Sequence, residues 1–215
     1  MSSDILEITL LSIKVSLLAT AISLFIGLPL GTWLALRNQL RGRNFMLSII
    51  NTGMALPPVV VGLFVAMMLW RSGPLGSLEL IYTPTAIVIA QTIIAAPVVT
   101  GLTASALQQL DPRLRLQLLG LGASPVQMVL SLWREARLPL MAALMAAFGA
   151  VISEVGASMM VGGNIRHQTR VLTTAIVLET GKGEFQNAII LSIVLLFLAY
   201  LVNLGLTLIQ QRGTR

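Results

Sequence analysis

The sequence is poor in the side chains on which most catalytic and metal sites depend. Its 215 residues contain no cysteine and a single histidine, His167. Disulfides, thiolate metal ligands and cysteine nucleophiles are therefore excluded, and a histidine-based metal centre is not expected. We expect no catalytic residue, no cofactor and no metal site in this chain.

Charge is also scarce. Only 10% of the residues are charged and 56% are hydrophobic, whereas soluble domains carry roughly 25% charged residues. This composition excludes a water-soluble enzyme with a polar shell, and it excludes a disordered chain, which requires low hydrophobicity. Five membrane-crossing helices of ~20 residues would use about 100 residues and leave only enough chain for loops. We therefore predict an all-α, polytopic membrane protein that forms a single domain over residues 1–215.

Long apolar runs place the predicted spans. Runs of sufficient length to cross a bilayer occur at 8–36, 45–70, 86–110, 138–161 and 188–209. The N-terminus begins acidic and lacks the basic start of a cleaved signal peptide, so we expect it to be retained. The connections after the first and third predicted spans, together with the C-terminal tail, carry nine basic residues. The connections after the second and fourth predicted spans carry four. This asymmetry predicts a cytoplasmic C-terminus and an external N-terminus.

Prolines, glycines and amides inside the spans suggest how the helices bend and pack. Pro57-Pro58 and Pro97 are expected to bend or break their helices. Gly27 and Gly31 have the GxxxG spacing that permits close helix approach. Gln91 and Asn203 are expected to form hydrogen bonds between helices, as amides in membrane bundles commonly do.

The predicted loop at 111–137 contains two helix-start signals. Asp111-Pro112 and Ser124-Pro125 each pair an N-cap residue with proline in the first turn, and Gly120 or Gly122 can end the first helix. The loop should thus form two short helices joined by a glycine turn, the second of them amphipathic. This second helix either rests on lipid headgroups or docks a cytoplasmic partner.

Several segments resemble permeases of ATP-binding-cassette (ABC) importers. LGASP at 121–125, followed by Leu-Pro at 138–139, resembles the cytoplasmic loop of these permeases, although LQL at 116–118 stands where that family has Glu-Ala-Ala. Three further segments resemble permeases of oxyanion importers: MALPPVVVG at 54–62, GPLG at 73–76 and YTPTAIVIAQ at 82–91. The stretches ISEVGASMMVGGNI at 152–165, TRVLTTAI at 169–176 and REAR at 134–137 are most similar to tungstate-importer permeases.

The resemblance implies the fold and the partners. It implies a type I ABC importer permease fold in the inner membrane, working as a homodimer with two ATPase subunits and an extracytoplasmic oxyanion-binding protein. ATP and magnesium would bind to the ATPase, and the loop would seat in a cleft on that subunit. The residues expected to couple to the ATPase are Leu121, Gly122, Ala123, Ser124, Pro125 and Val126.

Glu154 is the one carboxylate well inside a predicted span. A charge at the bilayer centre costs at least ~2.5 kcal/mol, so Glu154 should face other protein groups or a water-filled cavity. A proton relay is the sharper alternative, but no second acid or histidine lies within the spans to continue it. We interpret Glu154 as a structural or gating residue.

A glycine-rich run follows Glu154 and leads into a cationic segment. An irregular backbone with free N–H groups beside arginines can donate hydrogen bonds to an oxyanion. The alternatives are an ordinary surface loop with solvated arginines, or a contact between the arginines and a docked binding protein. The candidate gate or path residues are Ser153, Glu154, Gly156, Gly162, Gly163, Asn164, Arg166, Arg170, Thr173 and Thr174.

Energetics separate the candidate functions. Moving a divalent anion into a cell at 100 mV costs about 4.6 kcal/mol, at roughly 2.3 kcal/mol per charge, so accumulation needs coupling. The chain has no Walker A motif, and any ATP site must therefore lie on a partner. We predict a non-enzymatic permease subunit for tungstate, with molybdate or another oxyanion as the alternative. The competing classes are an ion-coupled secondary carrier and an intramembrane enzyme.

Overall fold

A computed structural model describes residues 2–37 and 41–212, and the regular secondary structure of these residues is all helix, with no β-strand. The ten α-helices are α1 (Ser2–Leu36), α2 (Arg43–Met54), α3 (Pro58–Leu69), α4 (Pro84–Gln108), α5 (Pro112–Gly120), α6 (Pro125–Glu135), α7 (Arg137–Ile152), α8 (Gly156–Gly162), α9 (Leu172–Gly181) and α10 (Phe185–Arg212). A short 3-10 helix, Gly76–Leu78, lies between α3 and α4.

Three helices, α1, α4 and α10, are each long and apolar enough to cross a membrane. Two bent pairs raise the number to five if each pair is counted as one span: α2 with α3 at 97°, and α6 with α7 at 76°. The break before α3 confirms the expectation for Pro57-Pro58, because proline lacks the N–H that would continue the helix. Helix α4 continues through Pro97, so this proline does not break it.

The predicted fourth span, 138–161, is not one helix. Helix α7 ends at Ile152 and α8 begins at Gly156, so residues 153–155 interrupt the run. Apolar periodicity did not indicate this break, because the residues on both sides of it are apolar. The interruption brings Glu154 to the start of α8, where the candidate site lies.

Helices α1 and α4 form the centre of the bundle through close packing. A methyl group added at Gly27 would lie 2.7 Å from Cβ of Val99, and one added at Gly31 would lie 2.6 Å from the carbonyl oxygen of Thr100. The GxxxG pair therefore marks a real close approach between two helices. The neighbouring core joins α1, α3, α4 and α8 through Val15, Val61, Ile87, Ala157 and Val161, among others.

Several helices leave large apolar faces uncovered in the described part of the chain, α3 and α10 among them. On α3, Phe64 is 64% exposed and Met67 is 60% exposed, and on α10, Leu196 is 70% exposed. In a membrane protein such faces contact lipid or another subunit.

Candidate coupling loop and translocation path

Both helices of the 111–137 loop begin with the caps that the sequence predicted. The Asp111 carboxylate accepts a hydrogen bond from the Arg113 N–H at 2.8 Å. Ser124 and Gln127 form a reciprocal capping box: the Ser124 hydroxyl accepts from the Gln127 N–H at 3.3 Å, and Gln127 Oε1 accepts from the Ser124 N–H at 2.8 Å. These bonds satisfy backbone donors that a helix start otherwise leaves unpaired.

The turn between α5 and α6 is built on Gly122. Its φ of 75° is in the left-handed region, and the Gly122 N–H donates to the Leu119 carbonyl while the Ala123 N–H donates to the Leu118 carbonyl, both at 3.0 Å. This pair of bonds is a Schellman motif, which ends α5 and reverses the chain. Gly120 is instead the last residue of α5, so Gly122 is the glycine of the turn.

This turn projects apolar side chains away from the bundle. Leu121 is 83% exposed, Val126 is 68% exposed, and α5 has no buried residue. The opposite face of α6 buries Met128 and Leu132 against the bundle. The helix pair is therefore held firmly on one side and presents an apolar tip on the other, as a docking element requires.

Glu154 lies in the break between α7 and α8 and is only 6% exposed. Its Oε1 accepts from the Ala157 N–H at 2.8 Å, and its Oε2 accepts from both the N–H and the hydroxyl of Ser158 at 2.9 Å. The carboxylate is thus bound to the first turn of α8, where free N–H groups and the helix dipole favour negative charge. In the described part of the chain its hydrogen-bond partners are two backbone N–H groups and one hydroxyl, and none is a cationic side chain.

Two further polar groups fasten this break to its neighbours. The Thr173 hydroxyl donates to the backbone carbonyl of Glu154 at 2.8 Å, which connects α9 to the break. Gln91 of α4 donates to the Val151 carbonyl at 3.3 Å and to the Ser158 hydroxyl at 3.4 Å. The interhelical bond predicted for Gln91 is confirmed. The one predicted for Asn203 is wrong, because Asn203 donates to the Ala199 carbonyl in its own helix.

The three predicted path glycines are sites of tight packing around α8. A methyl group at Gly162 would lie 2.8 Å from Ile87 Cδ1, and one at Gly163, where φ is 67°, would lie 2.8 Å from the Tyr82 ring. At Gly156 an added methyl group would overlap Val59. Ser153 ends α7 and donates its hydroxyl hydrogen to the Gly149 carbonyl at 2.7 Å. The glycines therefore let α8 fit closely against α3 and α4.

The arginines that follow α8 already have partners within the chain. Arg166 Nη2 lies 2.6 Å from Asp4 Oδ2 at the start of α1. Arg170 donates to the Asn164 side-chain oxygen at 3.2 Å and to the Asn164 carbonyl at 3.3 Å. Asn164 is itself in the left-handed region, at φ 50°, and donates to the Thr174 carbonyl at 3.3 Å. The segment is thus a cross-linked loop.

The expectation that this segment leaves its backbone N–H groups free is wrong for most of them. Ile165 donates to the Thr169 hydroxyl, Val171 to the Thr174 hydroxyl and Leu172 to the Ser12 hydroxyl. The N–H groups of 168–170 all donate to the Ile165 carbonyl. These donors are used to hold the loop together, because buried backbone groups need partners.

A mixed cluster lies where the loop meets the first turns of α1. Asp4, Glu7 and His167 offer ligand atoms within 4.8 Å of one another. Glu7 Oε2 lies 2.7 Å from His167 Nδ1, and Asp4 is bound by Arg166. Both acids therefore have a partner from the loop: an ion pair between Asp4 and Arg166 and a histidine–carboxylate contact between Glu7 and His167 join α1 to the loop.

Sequence reasoning missed the role of several hydroxyl groups. Thr169 is fully buried, and its hydroxyl binds the Gly162 carbonyl and thereby closes the loop. Ser12 accepts from the start of α9, and Ser158 holds Glu154. The available signal was the spacing of buried polar residues on one face of α1, namely Ser12, Ser16, Thr20 and Ser23.

Comparison with known proteins decides the family. Residues 27–214 match the family described as "Binding-protein-dependent transport system inner membrane component". The chain belongs to this family. The multi-pass character predicted from the apolar runs and the inner-membrane location implied by the resemblance are thereby confirmed.

Members of the family with curated names are similar over nearly the whole chain. A probable anion ABC transporter permease from Haloferax volcanii is 42% identical over 204 residues, which cover 93% of this chain and 88% of that protein. The tungstate uptake permease TupB of Peptoclostridium acidaminophilum is 37% identical, covering 97% and 91%. TupB of Campylobacter jejuni is 36% identical, covering 92% and 84%. The relatives are permease subunits, in agreement with a transport protein that is not itself an enzyme.

Solved structures confirm the predicted fold for this family member. A chain of the MetNI methionine ABC transporter superposes with a TM-score of 0.75 at 19% identity and covers all of this chain and 96% of its own. A chain of an amino acid ABC transporter gives a TM-score of 0.68 at 18% identity, covering 98% and 94%. The type I ABC importer permease fold is therefore the fold of this chain.

Proposed function

We propose that this chain is the membrane permease subunit of an ATP-driven tungstate importer. The observation that carries the proposal is the similarity to two tungstate uptake permeases, at 37% and 36% identity over more than nine-tenths of this chain. Molybdate is the alternative cargo, since the molybdenum permease ModB of Escherichia coli is 27% identical over 95% of the chain. The lower identity favours tungstate.

The loop at 111–137 is the proposed docking site for a separate ATPase. Its residues Leu121–Val126 form an exposed apolar tip on a capped and packed base. A rigid base allows force at the tip to reach the membrane helices, because the pair moves as one unit. ATP and magnesium would bind to that partner, and the chain itself would hold no cofactor. In this arrangement the loop and the C-terminus face the cytoplasm.

The translocation path is proposed to form between two copies of the chain. Three long spans and two bent pairs are few for enclosing a polar path within one subunit. The exposed apolar faces of α3 and α10 supply surface for a second copy as well as for lipid. A homodimer with two ATPase subunits would complete the importer.

The external loop is proposed to contact the oxyanion-binding protein rather than to select the anion itself. Arg166 is bound to Asp4 yet remains 61% exposed, and Arg170 is held by Asn164. Arginines that are held in this way form a fixed charged surface, which suits recognition of a folded partner. Glu154, Thr173 and Thr174 lie deeper and are proposed to hold the break beside the path.

Transport in reconstituted vesicles tests the proposal. Vesicles that contain this chain, its ATPase and the binding protein loaded with tungstate should accumulate tungstate when ATP is present, also with ion gradients collapsed. Uptake by this chain alone, driven by a proton or sodium gradient, would contradict the proposal. Faster uptake of molybdate than of tungstate, with tighter calorimetric binding of molybdate by the binding protein, would assign the alternative cargo.

A further inference from the structure

A pocket with two arginines in an otherwise mainly apolar lining lies at the end of the bundle that carries the 111–137 loop. It has a volume of about 760 Å³ and lies among the ends of α1 and α4 and the starts of α2 and α5. Arg43 and Arg115 line it, together with leucines of α4, α5 and α6. We name it the Arg43–Arg115 pocket.

The two arginines leave donors available in this pocket. Arg43 Nε is buried and has no hydrogen-bond partner among the residues that the structure describes. Arg115 Nη1 donates to the Leu36 carbonyl at 2.9 Å, which uses one of the five N–H groups of a guanidinium. A buried donor without a partner is costly, so a ligand that accepts hydrogen bonds from Arg43 would be favoured.

The remainder of the lining is apolar. Leu107 and Leu132 are buried at its base, while Leu116 is 69% exposed and Leu119 is 52% exposed. Asp111 also lines the pocket, but its Oδ1 already accepts the Arg113 N–H as the cap of α5. Two guanidinium groups against one engaged carboxylate leave the pocket positively charged. Cationic groups next to leucines match a ligand with an anionic head and an apolar tail.

Two tryptophans locate the pocket at the membrane surface. Trp33 stacks with the Arg37 guanidinium at 5.7 Å in the last turn of α1, and Trp133 donates to the Thr32 hydroxyl at 2.8 Å. Tryptophan is enriched at the level of the lipid headgroups, where its ring is partly apolar and partly polar. The pocket, bounded by Ala35 and Leu36, lies at this same level.

We propose that the Arg43–Arg115 pocket binds the phosphate group of an anionic phospholipid, with the leucines in contact with its acyl chains. Arginine recognises phosphate through paired N–H groups, and basic pockets between membrane helices bind anionic headgroups. Free inorganic phosphate offers the same oxygens but gains nothing from the leucine wall, so the lipid is the ligand that fits. The proposal is independent of which oxyanion is transported.

Native mass spectrometry of the assembled transporter tests this site. Complexes in detergent are mixed with phosphatidylglycerol, and lipid retained per permease chain is counted for the wild type and for Arg43→Gln/Arg115→Gln. The matched control, Arg134→Gln/Arg137→Gln, removes the same charge from two exposed residues near the same end. We expect retained lipid to fall about tenfold or more in the pocket variant, given the usual contribution of each arginine near a lipid surface, and to stay near the wild-type level in the control.

Equal retention in the two double variants would overturn the proposal. In a second arm, inorganic phosphate is titrated against bound phosphatidylglycerol: displacement at millimolar phosphate would show that the pocket takes free phosphate and would overturn the lipid assignment. If the pocket variant does not assemble, the single Arg43→Gln variant is measured in its place, because Arg43 forms no bond through Nε that its removal would break. Transport is not measured, so the outcome is separable from that of the proposed function.

Discussion

Glu154 and Ser158 are joined by two hydrogen bonds, from the Ser158 N–H and from its hydroxyl, and both are 2.9 Å long at the same carboxylate oxygen. The acid lies in the break between α7 and α8, and the serine lies in the first turn of α8. Their bonds replace the backbone bonds that a continuous helix would have formed. A single acidic side chain therefore supplies the acceptors for the first N–H groups of α8 at the interruption of the predicted span.

Removal of this carboxylate should destabilise the fold. In Glu154→Ala the Ala157 and Ser158 donors would lose their acceptors inside the protein, at about 1–3 kcal/mol for each unsatisfied group. Glu154→Gln keeps the shape and one acceptor oxygen and should cost less. We expect the thermal unfolding temperature of the purified transporter to be highest for the wild type, lower for Glu154→Gln and lowest for Glu154→Ala. An unchanged unfolding temperature together with lost transport would instead assign Glu154 to the gate alone.

Gly122 provides a test of the docking loop. In Gly122→Leu no atom lies within 4 Å of the new Cβ. The substitution should therefore lower the stability of the chain only through the left-handed φ at this position, by about 1–2 kcal/mol. Gly183→Leu is the matched control, because Gly183 has φ 80° and equally open space. We expect both variant chains to insert into the membrane. The amount of ATPase that co-purifies should fall about tenfold or more for Gly122→Leu only, because a misplaced contact that costs ~1.4 kcal/mol weakens binding tenfold. Equal ATPase capture by both variants would refute the docking role.

The packing of α1 against α4 predicts a strong effect of one methyl group. In Gly31→Ala the new Cβ would lie 2.6 Å from the Thr100 carbonyl oxygen, and overpacking of this kind costs about 1–3 kcal/mol. Gly205→Ala in α10 has open space and should be neutral or slightly stabilising, since alanine favours helix. Differential scanning fluorimetry of both variants in detergent compares them. A Gly31→Ala protein as stable as Gly205→Ala would contradict the close approach.

The Asp4–Arg166 pair makes the role of Arg166 testable. If Arg166 works by tying the loop to α1, then Asp4→Asn and Arg166→Gln should impair uptake to the same extent, and the double variant should be no worse than either single one. If Arg166 meets the anion or the binding protein directly, Arg166→Gln alone should impair uptake. Rates of ATP-driven uptake at several concentrations of loaded binding protein distinguish these outcomes, and the direct contact raises the half-saturating concentration.

The sequence predicts those features of the fold that depend on adjacent residues. The caps at Asp111 and Ser124, the turn at Gly122 and the break at Pro57-Pro58 all have causes within four positions. Such local causes are visible in one sequence because the chemistry of the residue itself dictates the backbone.

The loop after α8 could not be predicted in the same way. Arg166 binds Asp4, which lies 162 positions earlier, and Leu172 binds Ser12, 160 positions earlier. An arginine beside glycines suggests an anion site until the acid that pairs with it is known, and only the fold brings that acid close. The break at 153–155 was missed for a related reason: a glutamate in an apolar run indicates burial but not the helix start that it caps.

Ala136 determines how a movement of α6 would be passed to α7. It is fully buried and is the single residue between α6 and α7, whose axes differ in direction by 76°. Helix α7 has 16 residues and is therefore about 24 Å long. A rocking of α6 by about 10° that is transmitted rigidly through Ala136 would sweep the far end of α7 through about 4 Å. That end is Ile152, two residues before Glu154, so a displacement of α6 would be passed along α7 to the break that Glu154 occupies.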